Sequence, residues 1–332
     1  MRVLAFETSC DETAVAVVSD GPKVECSYVS SQVDLHRPFG GVVPEVASRA
    51  HQEWLPLLTR QVLDETGYGP GDFDLLSATR GPGLIGALLV GVSFSKALAL
   101  AWDLPWIGVN HLRGHLASLD LCGPPFHPPF VALLVSGGHT EYIAVDESCN
   151  TEFLGGTLDD AAGEAFDKVA HLIGLGYPGG PAIQKASDGF EGDLYPFPEP
   201  LKGRAGCDIS FSGLKTAVAV ALENGNGQRD NAPYWAASFQ RTAVEALTNK
   251  LEAAAKMSGQ TRIALAGGVA ANRALRNAAQ AMADRNGFEL GVAPKKYCGD
   301  NAAMIGAAAL HGTEFDREAA FALDADPNLS LR

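Results

Sequence analysis

Three stretches share one pattern, an apolar run of strand length, a tight turn of small and polar residues, and then a second strand or a helix. VLAFETSCDETAVAVV (3–18) and FVALLVSGGHTEYIAV (130–145) have the pattern of β-hairpins, with SCDET and SGGHT at their turns. RIALAGGVAANRALRNAA (262–279) runs strand, Gly-rich loop, helix. The recurrence of such a unit in both halves predicts an α/β chain with a duplicated two-lobed fold and a cleft between the lobes. Residues 234–257 place Phe239, Ala243, Leu247, Leu251 and Ala254 on one helical stripe, and a helix over 272–285 starts at Asn272 and stops before Gly287. Pro- and Gly-rich punctuation falls at 81–83, 123–129, 176–181 and 196–203, and the second of these sets a lobe boundary near residue 125. ENGNGQRDN (223–231) is expected to be a mobile surface loop.

With 332 residues, 46% hydrophobic and 19% charged, the chain has the length of two lobes and enough apolar residues for a sizeable core. None of the six cysteines forms a CxxC pair, which excludes zinc-ribbon and thioredoxin-like motifs and suits a reducing cytosol. The N-terminus has neither a signal-peptide nor a transit-peptide pattern. LIGALLVGVSFSKALALAW (84–102) contains Lys96 and is rich in Gly and Ala, so a buried, closely packed helix is expected rather than a bilayer span. The formal charge of −14 argues against a protein that grips nucleic acid alone, so any such contact needs a local basic patch or a partner. A cytoplasmic protein with no membrane contact is expected.

Candidate chemistry begins in NHLRGH (110–115). On a helix, His111 and His115 share one face and could reach one ion, although a pair of one packed and one exposed histidine is the blander alternative. A zinc protease needs Glu after the first histidine, and Leu112 stands there. Asp300, before an Ala-rich helix, is either a third ligand or merely an N-cap. Two histidines and a carboxylate suit Fe(II) or Zn(II). VSGGHT and AGGVAAN are neither Rossmann nor Walker loops, yet their backbone N–H groups could bind phosphate or ribose oxygens. Asp11 and Glu12 lie in the first turn, and Asp160, Glu164 and Asp167 read as one helical face beside Lys168.

Together, FETSCDET (6–13), SSQVDLHRPFGGVVPEVASRAH (30–51), GPGLIGALLVG (81–91), NHLRGH, LLVSGGHTE (133–141), DDAAGEAFDKVA (159–170), YPGGP (177–181), FSGLKTA (211–217), AGGVAANRALR (266–276) and CGDNAAMI (298–305) resemble the tRNA threonylcarbamoyladenosine transferases of the bacterial TsaD type. These were formerly called O-sialoglycoprotein endopeptidases. The resemblance runs to about residue 310 and implies an actin/sugar kinase/Hsp70-like (ASKHA) fold. It implies an N-terminal lobe over 1–125, a C-terminal lobe over 126–310, and a segment 311–332 packing back on the first lobe. By the same resemblance His111, His115 and Asp300 are metal ligands, with Fe(II) favoured and Zn(II) second. Leu134, Val135, Ser136, Gly137, Gly138, Asp167, Gly180 and Asn272 match contacts to substrate and adenine nucleotide, either threonylcarbamoyl-AMP or ATP. Asp11 and Glu12 match acids near the reacting centre. Gln184 departs from the family pattern, which has an acid there.

The implied reaction moves a threonylcarbamoyl group from threonylcarbamoyl-AMP to the exocyclic N6 amine of the adenosine 3′ of the anticodon in tRNAs reading ANN codons. The implied partners are the tRNA, a smaller non-catalytic paralogue of the same fold and a small ATPase. The chief competing reading is an ATP-dependent small-molecule kinase of this fold, which would not need the histidines as ligands. A non-catalytic scaffold would have no use for them either.

Overall fold

The computed structural model describes residues 1–121, 123–224, 231–311 and 317–331. Two compact units emerge, Met1–Phe126 with Asp300–Leu331, and His127–Gly299. In the first, β1 (Arg2–Glu7) and β2 (Glu12–Ser19) form the expected hairpin, with Phe6 opposite Val15 and Glu7 opposite Ala14. β3 (Lys23–Ser31) adds antiparallel to β2, and β4 (Leu75–Gly81) and β5 (Trp106–Asn110) add parallel on the other side, giving the order β3-β2-β1-β4-β5. Val3 to Phe6 are buried without alternation because helices cover both faces of this central strand.

The helices of the first unit are α1 (Val33–His36), α2 (Pro44–Thr66), α3 (Ile85–Trp102) and α4 (His111–Ala117). Pro44 opens α2 at its first turn and Gly67, at φ 69°, ends it. Leu55, Val62, Val92 and Ala99 from α2 and α3 join Leu4, Phe6, Val15, Val17, Leu76 and Trp106 in one core. Each large aliphatic or aromatic side chain there contributes about 1.5–3 kcal/mol. The expectation of a fully buried 84–102 helix needs correction. Only the face of α3 formed by Ala87, Leu88, Gly91, Val92, Ser95 and Ala99 packs inward, while Ile85, Leu89 and Leu100 are exposed.

The second unit repeats the plan. β6 (Phe130–Val135), β7 (Thr140–Val145) and β8 (Thr151–Gly156) are antiparallel neighbours, and β9 (Arg262–Ala266) and β10 (Glu289–Val292) extend the sheet in parallel, in the order β10-β9-β6-β7-β8. Its helices are α5 (Ala162–Leu172), α6 (Gly179–Ser187), α7 (Ser212–Glu223), α8 (Ala232–Ser258) and α9 (Arg273–Asn286). The stripe Phe239, Ala243, Leu247, Leu251 and Ala254 of α8 is fully buried. Asn272 caps α9 by accepting from the Leu275 N–H at 3.0 Å, and Gly287 ends it at φ 67°. Of the loop expected at 223–231, residues 225–230 lie outside the described residues.

The chain then returns to the first unit with α10 (Ala302–Leu310) and α11 (Arg317–Ala322). The expected lobe end at 310 is therefore displaced to 299. α10 is apolar all round and buries Ala302 to Ala307 against β1, β2 and α4, where a Cβ on Gly306 would come within 2.6 Å of Val18. Beyond α11 the Asp326 N–H donates to Arg80 O (2.8 Å), the Gly83 N–H to Pro327 O (3.2 Å), and Asn110 Nδ2 to Leu329 O and Ser330 O (3.3 and 3.1 Å).

Candidate metal centre

Asn110 ends β5 and starts α4: its Oδ1 accepts from the N–H groups of Leu112 (2.8 Å) and Arg113 (3.2 Å), so the helix begins at His111. His115 follows one turn later on the same face. Both histidines are buried, at 6% and 0% exposure, which removes the alternative of one packed and one exposed residue. Their ring centroids lie 4.7 Å apart. The N-cap alternative for Asp300 also falls, because Asn301 fills that role by accepting from the Met304 N–H at 3.0 Å. Asp300 Oδ1 sits 3.5 Å from His111 Nε2 and 3.3 Å from His115 Nε2, and ligand atoms of all three residues lie within 4.8 Å of one another.

Gly114, between the two histidines, admits this approach: a Cβ there would fall 2.7 Å from Ile305 Cδ1 on α10. Behind His111, Nδ1 faces Glu7 Oε2 at 3.0 Å and Ser9 Oγ at 3.2 Å. Glu7, fully buried, also accepts from Thr79 Oγ1 and from the Ser9 N–H, both at 2.5 Å. An Nδ1–H donated to Glu7 leaves Nε2 of His111 as the ligand atom aimed at Asp300, the arrangement of a histidine oriented from behind by a carboxylate.

The local charge explains what this site wants. Burial alone would hold the Glu7 carboxyl up, yet the His111 ring and the Thr79 hydroxyl bring it below its ordinary value. Burial opposes a charge on His111, but Asp300 and Glu7 outweigh it and raise the imidazole to about 9. Burial keeps His115 below its usual value. Glu12 is pushed up to about 10 by burial and by the neighbouring charges of Asp300 and Asp11. Glu7, Asp11, Glu12 and Asp300 therefore form a carboxylate-rich surrounding that favours a cation. Both ring nitrogens of buried His115 lack a partner in hydrogen-bonding geometry, and two imidazoles with one carboxylate are a donor set for a transition ion. The residues fit a divalent metal.

In the second unit, the parts named from the sequence are linked by direct contacts. The Ser136–Gly138 turn follows β6, with the Ser136 N–H donating to His139 O (2.8 Å) and the Gly163 N–H of α5 donating to Ser136 O (3.1 Å). Gly163 has no room for a side chain, since a Cβ would come within 2.7 Å of Gly137 Cα. Gly267, at φ 93°, packs on Val135 O, which brings the loop before α9 beside the end of β6. Leu134 and Val135 are buried, and Gly137, Gly138 and Gly180 face open space. Asp167 Oδ1 accepts from the Gly179 N–H at 2.6 Å, joining α5 to α6. Gln184 Oε1 accepts from the Arg273 N–H at 2.7 Å, and Asn272 Nδ2 donates to Gln240 Oε1 at 2.9 Å. These loops end parallel strands β6 and β9, the usual place for ligands in α/β sheets.

One acidic reading needs correction. Asp160 precedes α5 rather than sharing a face with Asp167; it pairs with Lys215 and with Lys168 (3.0 Å), while Lys168 also pairs with Glu164 (2.8 Å). Glu7, Ser9, Thr79, Gly114 and Asn301 were not singled out in the sequence. Asn301, an Asn before an apolar run, carried a readable cap signal; Thr79 carried none.

The fold is shared with solved ASKHA-type structures. The activator of 2-hydroxyisocaproyl-CoA dehydratase from Clostridium difficile, solved with bound ADPNP, is similar with a TM-score of 0.53 at 12% identity, over 93% of this chain and 94% of that chain. The family model described as TsaD, tRNA N6-adenosine threonylcarbamoyltransferase, matches residues 23–307. The chain is 47% identical to the tRNA N6-adenosine threonylcarbamoyltransferase of Thermosipho africanus over 333 residues, 100% of both chains. It is 50% identical to the protein of that name from Desulforapulum autotrophicum over 308 residues, 92% of each. The chain belongs to the tRNA N6-adenosine threonylcarbamoyltransferase family.

Proposed function

We infer that this chain transfers the threonylcarbamoyl group from threonylcarbamoyl-AMP to the N6 amine of the adenosine 3′ of the anticodon in tRNAs reading ANN codons. The observation that carries the reading is the group of buried His111 and His115 with half-buried Asp300, in a chain with near full-length relatives of that name. The kinase alternative draws no support from these relatives, and it has no use for a buried histidine pair.

The donor is a mixed carboxylic–phosphoric anhydride, already activated, so no protein nucleophile is required. The work left to the chain is holding and alignment. In this reading main-chain N–H groups of residues 137–138 and 267–268 take the adenylate, with Asp167, Gly180 and Asn272 as further contacts. Asp11 and Glu12 are the acids this reading sets beside the adenine amine. A bound divalent ion, Fe(II) before Zn(II), would supply positive charge to phosphate or carbamoyl oxygens on His111, His115 and Asp300. Glu7 holds the His111 ring in the ligand tautomer. The formal charge of −14 fits a protein that meets tRNA with help. The assembly we propose contains a smaller non-catalytic paralogue of the same fold and a small ATPase, working in the cytoplasm.

The test is nucleoside mass spectrometry of bulk tRNA from cells depleted of this protein and rescued by wild type or by His111→Ala. Threonylcarbamoyladenosine should vanish on depletion and return only with wild type. Full rescue by His111→Ala would remove the metal site from the reaction, and an unchanged nucleoside on depletion would remove the function itself.

A further inference from the structure

The motif at 30–51 is not used by the proposed mechanism, yet it supplies a buried polar cluster directly beneath the acidic turn. Thr13, Gln32, His36 and His51 are all fully buried. From α2, His51 Nε2 lies 2.9 Å from the carbonyl oxygen of Cys10, and its Nδ1 lies 2.8 Å from Thr13 Oγ1. The carbonyl can only accept, so Nε2 carries the proton. Nδ1 is then an acceptor, and the Thr13 hydroxyl donates to it. The Gln32 N–H donates to the carbonyl of Asp11 at 2.9 Å, and Ser31 Oγ lies 3.4 Å from Glu12 Oε1.

A second histidine completes the set. The Val43 N–H donates to His36 Nδ1 at 3.2 Å, so the proton of His36 is on Nε2, which lies 3.1 Å from Gln32 Oε1. That turns the Gln32 amide nitrogen toward the His51 ring and Ala47 O. Every tautomer and amide orientation in the cluster follows from its neighbours. Burial keeps His51 below its ordinary pKa, against the opposing pull of the Cys10 carbonyl and of the Glu7 and Asp11 charges.

We propose that His51 is a positioning residue for the transfer reaction: with Gln32 it clamps the consecutive carbonyls of Cys10 and Asp11, and so aims the Asp11 and Glu12 carboxylates. The physical reason is that Asp11, Glu12 and Asp300 crowd acidic groups together, which costs enough to push the Glu12 carboxyl up, so the turn that holds them needs fixed backbone anchors. Neutral buried donors supply them without adding charge to the site. The proposal rests on the transferase reading, which places Asp11 and Glu12 at the reacting amine.

The test uses the full chain with its pathway partners, tRNA and threonylcarbamoyl-AMP. It compares wild type, His51→Ala, His51→Gln and Thr13→Val by steady-state transfer, thermal melting and hydrogen exchange of residues 10–13. His51→Ala should lower kcat by about 10²-fold, the scale of a misplaced catalytic group, with KM for the donor unchanged. His51→Gln, whose amide N–H can reach the Cys10 carbonyl, should recover most of the loss. Thr13→Val keeps the side-chain shape and should cost about tenfold in kcat, the weight of one hydrogen bond. An unaltered kcat in His51→Ala overturns the proposal. So does a parallel fall of kcat and melting temperature in which Gln is no better than Ala, since that marks a purely structural histidine. If wild type itself makes no product, the transferase reading falls, and exchange decides the clamp: unchanged protection of residues 10–13 in His51→Ala then overturns it.

Discussion

Gly114 lies against Ile305, so close that a Cβ on the glycine would sit 2.7 Å from Ile305 Cδ1 and 3.2 Å from Met304 Cγ. The spacing of α4 from α10 sets the distance between the two imidazoles and Asp300. Gly114→Val should destabilise by about 1–3 kcal/mol through overpacking. It should also weaken metal binding, read by thermal melting and metal titration side by side. Wild-type metal affinity in this variant would mean that the helix spacing does not control the site.

Glu7→Gln keeps a hydrogen-bonding side chain behind His111 but removes its charge. The expected cost is about 10–100-fold in metal affinity, typical of losing the carboxylate behind a histidine ligand. Competition with a chromophoric chelator reads it directly.

Asn110 has two jobs that one pair of variants separates. Asn110→Asp keeps the oxygen that caps α4 but loses the donor to Leu329 O and Ser330 O. Asn110→Ala loses both. The Ala variant should cost about 1 kcal/mol of cap stability in urea unfolding that the Asp variant does not. Both should expose residues 324–331 to limited proteolysis. Equal protection in all three proteins would show that the tail is held elsewhere.

His311 lies 2.7 Å from Asp120, whose hydrogen bond raises the His311 pKa above 6.5 against the cost of burial. A raised pKa means that the folded state holds the proton more tightly. The pair therefore stabilises fully below 6.5 and fades as pH rises through the higher folded value. His311→Asn should lower the melting temperature in mildly acidic buffer and leave it unchanged in alkaline buffer. A loss that is the same at both ends would mean packing, not charge.

Gln184→Glu places a carboxylate on the Arg273 N–H at the start of α9, where the helix dipole favours it. A gain of about 0.3–1 kcal/mol is expected in chemical unfolding, screened by salt. Gln184→Ala should lose stability instead, because the N–H is left without its acceptor.

Much of this architecture was legible before any coordinates. The turns SCDET and SGGHT fall between paired strands, because apolar runs of strand length on either side of a short polar turn specify a hairpin locally. Helix starts at Asn272 and stops at Gly287 were readable for the same local reason. What lay beyond reach depended on distant pairing. Thr79 reaches Glu7 across parallel strands, and nothing in the residues around Thr79 announces it. The lobe end was misplaced because α10 looks like any apolar helix; only its fit beneath Val18 and beside Gly114 assigns it to the first unit. Asp160 was placed on a helix because charge spacing alone does not reveal that α5 starts two residues later.

Because α10 and Asp300 belong to the first unit while residues 127–299 form the second, the two halves of the histidine–carboxylate group are made far apart in time on the ribosome. His111 and His115 emerge long before their carboxylate is translated. Until then the nascent chain carries the imidazole pair without its candidate third ligand. A truncated product ending before Asp300 would be left in that state permanently. Completing the three-residue group is thus tied to the chain being made through Asp300, after the whole of the second unit.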